Sequence, residues 1–438
     1  MEPAIGGAAA ALPDWTQLPE EVLVTMMGEL EILDLIRSGA VCTSWRSSFA
    51  AFRRLRLPSP RQAPCLLYSG RSGATALYCP STGATLRVPF RDLRGLSPIG
   101  SARGWLVVAD EASDLHLANP LTGARVALPP ITTLRCVEGG AADPDGGVGG
   151  GLVYMVRDER GVVAHIPAAE ARDCVYDRAA LSGSPLVAGG DCVVLLLHSP
   201  LGELSFARPG DERWTWIPPG GPPTGLRRGD FYRDAAYNDR DGLFYVVRSD
   251  DSIYALDLRG PNSPVVARRI MPELRHGDQP YRYLIHAPWG ELLQAWRFRR
   301  EYEPSSSTPV EIEDGDGDDV VADPSVELNT TELLLSKVDS CEQRLVKLDG
   351  LRDYALLLGY NGSMCLPVKD FPGLKPNSAY VMDDSTEFMN FYKNNKREIG
   401  VWDIDRQSLQ SLSDSSPLPL KELWLNWPAP IWLTPSLL

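Results

Sequence analysis

The chain has 438 residues, 44% of them hydrophobic, and a formal net charge of −14 from 43 Lys+Arg against 57 Asp+Glu. Its length exceeds one ordinary domain and predicts two or more units, or one large repeat fold. The acidic balance repels phosphate backbones, so no nucleic-acid partner is expected.

The first residues, Met1 to Ala11, are Ala/Gly-rich without a basic segment. They read as a disordered N-terminus over residues 1–12 and not as a signal peptide. No apolar run reaches membrane-spanning length, so no membrane partner is expected, and the reading is a soluble protein of the cytoplasm or nucleus. From Leu18 the apolar residues recur at helical spacing. Val22, Met26 and Leu30 form one stripe; Leu23, Met27 and Leu30 form its neighbour. Pro19 suits a helix start and Gly28 a stop. A second helix is predicted over about 32–37, and a third carrying Val41, Trp45 and Phe49. Three short helices cannot bury this much apolar surface among themselves, so the unit must be completed by something else.

The run Leu18-Pro19-Glu20-Glu21-Val22-Leu23, then Leu30, then Leu33-Asp34-Leu35-Ile36-Arg37, then Val41-Cys42-Thr43-Ser44-Trp45-Arg46 resembles an F-box. Gly39 departs from that pattern, where a bulkier residue is usual. The resemblance places an F-box over 13–57 and implies that it docks a Skp-type adaptor and, through it, cullin and RING subunits. It makes Leu18, Pro19, Leu23, Leu30, Leu35, Ile36, Val41, Cys42 and Trp45 the adaptor-binding or F-box-core residues.

Beyond Pro64 the period changes from helical to alternating, with runs of four to eight residues punctuated by Gly, Pro, Asn and Asp. The 39 glycines and 37 prolines of the chain fit a fold of many turns. Pro80-Ser-Thr-Gly-Ala-Thr-Leu-Arg-Val-Pro89 recurs forty positions later as Pro120-Leu-Thr-Gly-Ala-Arg-Val-Ala-Leu-Pro129, and more weakly at 209–218. A repeat near 40 residues predicts propeller blades. The expected fold is therefore mainly β with a small α N-terminal domain: a three-helix F-box, then a β-propeller of six blades over 58–423, with a seventh left open by 151–181. An acidic loop is expected at about 301–327, and a Trp/Pro-rich segment at 424–438 packing on the propeller or helping to close it.

An F-box followed by Arg103-Gly-Trp-Leu-Val-Val, Asn119-Pro-Leu-Thr-Gly-Ala-Arg-Val, Asp370-Phe-Pro-Gly-Leu-Lys-Pro-Asn and Trp427-Pro-Ala-Pro-Ile-Trp is similar to a plant family with a kelch-like propeller, domain of unknown function 295. That resemblance implies a non-catalytic substrate receptor of a Skp–cullin–F-box ubiquitin ligase, binding an unidentified protein substrate.

The sequence carries few signs of catalytic chemistry. The chain has no G-x-S-x-G, H-E-x-x-H or P-loop motif, and its five histidines are scattered. Its eight cysteines contain no C-x-x-C unit, so neither metal nor cofactor is expected. Asp250-Asp251 and Asp383-Asp384 read as turn residues, and Trp214 and Trp216 as blade core. Two alternatives stay open: a propeller enzyme with a helical cap, whose carboxylates would converge at the propeller mouth, and an F-box scaffold acting outside a ligase.

Overall fold

The computed structural model describes residues 14–55, 62–69, 73–90, 93–142, 152–158, 160–186, 192–219, 226, 231–260, 266–274, 279–302, 326–371, 373–386, 395–412 and 428–437. The N-terminal 1–12, nearly all of the acidic stretch, and Trp424 and Trp427 lie outside them. The chain divides into two compact units: one runs to Gln62 and also takes in Leu437, which packs on its apolar core, and the other begins at Ala63.

In the first unit Pro19 precedes helix α1 (Glu20–Gly28), with Glu20 and Glu21 in its first turn facing the positive end of the helix dipole. Helices α2 (Ile32–Ser38) and α3 (Thr43–Leu55) follow. Leu23, Met27, Ile32, Leu33, Leu35 and Phe52 are the buried apolar residues of this unit. The Gln62 side chain accepts from the Ile32 amide at 2.6 Å, satisfying a donor at the start of α2 that the helix itself leaves open.

The second unit is built of short, mostly antiparallel strands that form seven sheets among the described residues. Their turns follow the internal repeat. Gly83 and Gly123, the glycines that match at the forty-residue offset, both turn their hairpins with positive φ, +65° and +72°. That left-handed geometry is one that glycine adopts without a Cβ clash. Gly210 in the weaker copy does the same at +94°.

Six sheets succeed one another through their first strands. Those strands are Ser97–Ala102, Tyr176–Leu181, Tyr232–Asn238 and Tyr281–His286, then Met364–Pro367 in the last sheet and Ile431–Leu433 in the first. Adjacent first strands touch directly. The Asp234 carboxylate accepts from the Leu284 amide at 2.7 Å, and the Ser101 hydroxyl donates to the Trp432 carbonyl. The first sheet is a composite, because Cys65–Ser69 pairs with Thr75–Cys79 on one side and with Ile431–Leu433 on the other. The C-terminal segment thus enters a ladder as a strand of the first sheet.

The seventh sheet, Val137–Ala142, Leu152–Arg157 and Val163–Pro167, stands outside this succession. The first strands of the sheets before and after it, Ser97–Ala102 and Tyr176–Leu181, pack against each other without it. It is followed by helix α4 (Ala168–Val175), whose Ala168, Ala171 and Val175 are buried. The open segment at 151–181 is therefore part of an added sheet and helix, then the first strand of the next blade-like sheet. Among the described residues, no helix is long and apolar enough to cross a membrane.

Candidate functional site

The two units concentrate two different kinds of side chain. In the helical unit the neighbouring stripes of α1 part company. Leu23 and Met27 are buried, while Val22 and Met26, one residue away on each turn, remain 43% and 40% exposed. Trp15 and Val41 join them at 56% and 61%. A short turn over Trp15–Gln17 holds Trp15 in place: the Asp14 carboxylate accepts from the Thr16 amide at 3.0 Å, and the Trp45 indole donates to the Trp15 carbonyl at 3.0 Å. Those hydrogen bonds from Thr16 also hold the Asp14 carboxyl below its ordinary range.

The nine residues singled out from sequence separate accordingly. Leu23 and Leu35 are core; Leu18, Leu30, Ile36, Cys42 and Trp45 are half-buried; Pro19 and Val41 are exposed. Trp15, Val22 and Met26 were not in that set. Periodicity puts Val22 and Met26 on a stripe of their own, and that stripe is the signal that points to them.

In the propeller unit the polar side chains converge where the first strands meet. Arg178 pairs with Asp234 at 3.3 Å and with Asp384 at 2.7 Å; Arg297 lies 3.6 Å from Asp384 and also binds Glu398. Arg299 and Arg397 hold Asp383 at 2.8 and 3.2 Å. The Tyr283 hydroxyl donates to Asp384 at 2.9 Å. Four guanidiniums thus face four carboxylates, and all eight side chains are buried. Burial alone pushes the Asp383 and Glu398 carboxyls up, but the adjacent guanidiniums outweigh it and hold both below their ordinary range.

Asp383, Asp384 and Asp251 exceed the turn role read from sequence. Asp383 accepts locally from the Ser385 amide at 3.3 Å, but its strong partners, Arg299 and Arg397, come from elsewhere in the chain. Asp251 likewise forms a two-pronged pair with Arg282 at 2.6 and 3.0 Å. Trp214 is buried, donating to the Pro129 carbonyl at 2.9 Å, and Trp216 lies under Arg135 with the guanidinium carbon 4.4 Å from the ring centroid.

Carboxylates do converge here, as the enzyme alternative requires, but each of these four is held by arginine inside the protein. A cysteine and a histidine do meet at Cys136 and His198, with Sγ 3.9 Å from Nδ1 and Nε2 3.0 Å from the Ser205 hydroxyl. Burial pushes the thiol up to about 12 and the imidazole down to about 4. At neutral pH the pair is thiol and neutral imidazole, the reverse of an activated cysteine. Among the described residues no group of three or more His, Cys, Asp or Glu side chains is arranged to hold a metal ion.

Against this geometry, the KIB1-4 beta-propeller family profile matches residues 77–403. The chain belongs to the KIB1-4 beta-propeller family. The match takes in the whole charged core and the added sheet. The chain is also 22% identical over 381 residues to the Arabidopsis thaliana protein named Putative F-box protein At4g17565, covering 84% of this chain and 83% of that one. Shorter matches are to F-box only protein 7, 28% identical over 127 residues, and F-box/kelch-repeat protein At1g57790, 34% identical over 119 residues, both from the same plant. These cover 27% and 26% of this chain, and it spans only about a third of their length, 30% and 32%. Family and relatives together agree with the plant F-box and propeller resemblance drawn from the motifs.

Proposed function

We propose that this KIB1-4 beta-propeller protein is the substrate receptor of a Skp–cullin–F-box ubiquitin ligase in the cytoplasm or nucleus. The helical unit docks a Skp-type adaptor, which brings cullin and RING subunits, and the propeller holds a protein target. Catalysis then belongs to the other subunits, and the receptor acts by raising the local concentration of target near the ubiquitin carrier.

The observation that carries this reading is the exposed stripe of Val22 and Met26 on α1, with Trp15 and Val41 also exposed, on a unit with few buried apolar side chains of its own. An apolar face of this kind on a small helical unit fits a groove-binding helix surface. The F-box names of the relatives support the adaptor as its occupant.

Because the exposed stripe and the buried one are distinct, docking can be tested without unfolding the unit. Val22→Asp with Met26→Asp should abolish co-purification with a Skp-type adaptor while helical circular dichroism and the melting curve stay unchanged. Leu23→Ala with Leu35→Ala should instead destabilise the unit by about 2–5 kcal/mol per site. An adaptor retained undiminished by the double aspartate variant would refute the docking assignment.

A further inference from the structure

The charged core opens at one end into a cavity of about 540 Å³, bounded by the starts of the strands Tyr176–Leu181, Tyr232–Asn238 and Tyr281–His286 and by the loop that follows Val381. That volume lies within the ordinary range of ligand sites. Three guanidiniums, from Arg178, Arg233 and Arg282, line it among several tyrosine rings. Two of the three are already matched: Arg282 by Asp251, and Arg178 by Asp234 and Asp384. Arg233 differs. Among the described residues it makes no hydrogen bond or ion pair, and it sits with its guanidinium carbon 5.9 Å from the ring of Phe231, itself 38% exposed. The acid nearest in influence, Asp177, is instead held by the Ser199 hydroxyl at 2.8 Å.

We propose that this cavity binds a carboxylate side chain of the protein target, flanked by aromatic or large apolar residues, with Arg233 as its counter-charge. The inference rests on the reading of the propeller as the target-holding part. One free guanidinium offers one planar fork, which matches a carboxylate. A phosphate dianion is disfavoured, because Asp173, Asp177 and Asp384 also line the wall and would repel the second charge. Five aromatic residues, Phe231, Tyr232, Tyr281, Tyr283 and Tyr360, share the wall, which favours rings or branched chains on either side of the acid. Desolvation and the nearby Arg282 oppose the charge on the exposed Arg233 and Asp177 supports it, with the net effect downward, so a second carboxylate beside the guanidinium would add to that support.

The test uses the full chain and calorimetric titration with three probes: Ac-Phe-Glu-Phe-NH₂, Ac-Phe-Gln-Phe-NH₂ and free 3-phenylpropionate. The glutamate peptide is expected to bind with a Kd on the order of 0.1 mM. The glutamine peptide, and the glutamate peptide on Arg233→Ala, should bind at least about tenfold more weakly, with Arg233→Lys between. No binding, or equal binding by the glutamine peptide or by Arg233→Ala, would overturn the proposal. Phenylpropionate binding as tightly as the peptide would overturn the assignment to a protein target in favour of a free acid. Adaptor retention is read in the same samples. Protein that binds peptide but no adaptor refutes the ligase reading alone, and the reverse result refutes the cavity alone.

Discussion

Asp177 lines the cavity with a serine hydroxyl as its hydrogen-bond partner, and burial, the largest influence on it, pushes its carboxyl up to about 6. The folded value lies above the unfolded one near 3.9, so the ionised carboxylate costs stability above pH 6. That cost disappears as acid protonates the group in both states. Asp177→Asn keeps an acceptor for Ser199 and should stabilise the protein at pH 8 by on the order of 2 kcal/mol. At pH 4 the gain should be near zero, with paired urea titrations as the check. His198 acts in the opposite sense. Its folded value is depressed to about 4, so its contribution is complete above the unfolded value near 6.5 and is lost as pH falls toward 4. At this scale the sequence was legible only for local bonds. Asp383 could be read as a turn residue from its neighbours, whereas Arg299, which helps to hold its charge, lies 84 positions away and no linear pattern joins them.

The strands were legible wherever alternation was strong. Two of the short runs between turn residues, Gly104-Trp-Leu-Val-Val-Ala and Asp114-Leu-His-Leu-Ala, fold as Trp105–Ala109 and Leu115–Ala118, paired to each other. The added sheet was not legible as such, because Val137–Ala142 carries two glycines and Val163–Pro167 ends in proline, and both weaken a strand signal. Helix α4 was missed for a related reason: eight residues give too few turns for a periodic signal. Contact between elements also escapes local pattern. At Gly100 a bulge shifts the register between Ser97–Ala102 and Trp105–Ala109, and a Cβ there would overlap the Ala179 carbonyl of the neighbouring first strand. Gly100→Ala should therefore force two backbones apart and destabilise the propeller by about 2 kcal/mol or more. The melting temperature of the purified variant checks this, with Gly83→Ala as a control for strain at an open turn, where the added Cβ meets nothing within 4 Å.

For the propeller unit as a whole, the decisive pairing is the one between its two chain ends, Cys65–Leu67 against Ile431–Leu433. Trp432 is fully buried there and meets the Tyr380 ring edge-on with centroids 5.9 Å apart, so the last strand ties the first sheet to the one preceding it in the ring. Removing residues 428–438 should expose both neighbours and replace one cooperative melt by a broad one, with dye-accessible apolar surface appearing before global unfolding. Retention of a single sharp transition in the shortened chain would count against this closure. The repeat in the sequence foretold blades, but the partner of Cys65–Ser69 lies at the far end of the chain, and only the proline- and tryptophan-rich composition near 427–435 hinted at it.

This end-to-end ladder has a consequence for how the molecule is made. On the ribosome the helical unit emerges first, and the strand Cys65–Ser69 follows with one edge unfilled until Ile431–Leu433 has been released. Throughout that interval a nascent chain offers an open β edge to its neighbours, a known route to mispairing. The first sheet is thus among the last parts to be finished, and a prematurely terminated chain would carry helices α1–α3 without a closed propeller unit.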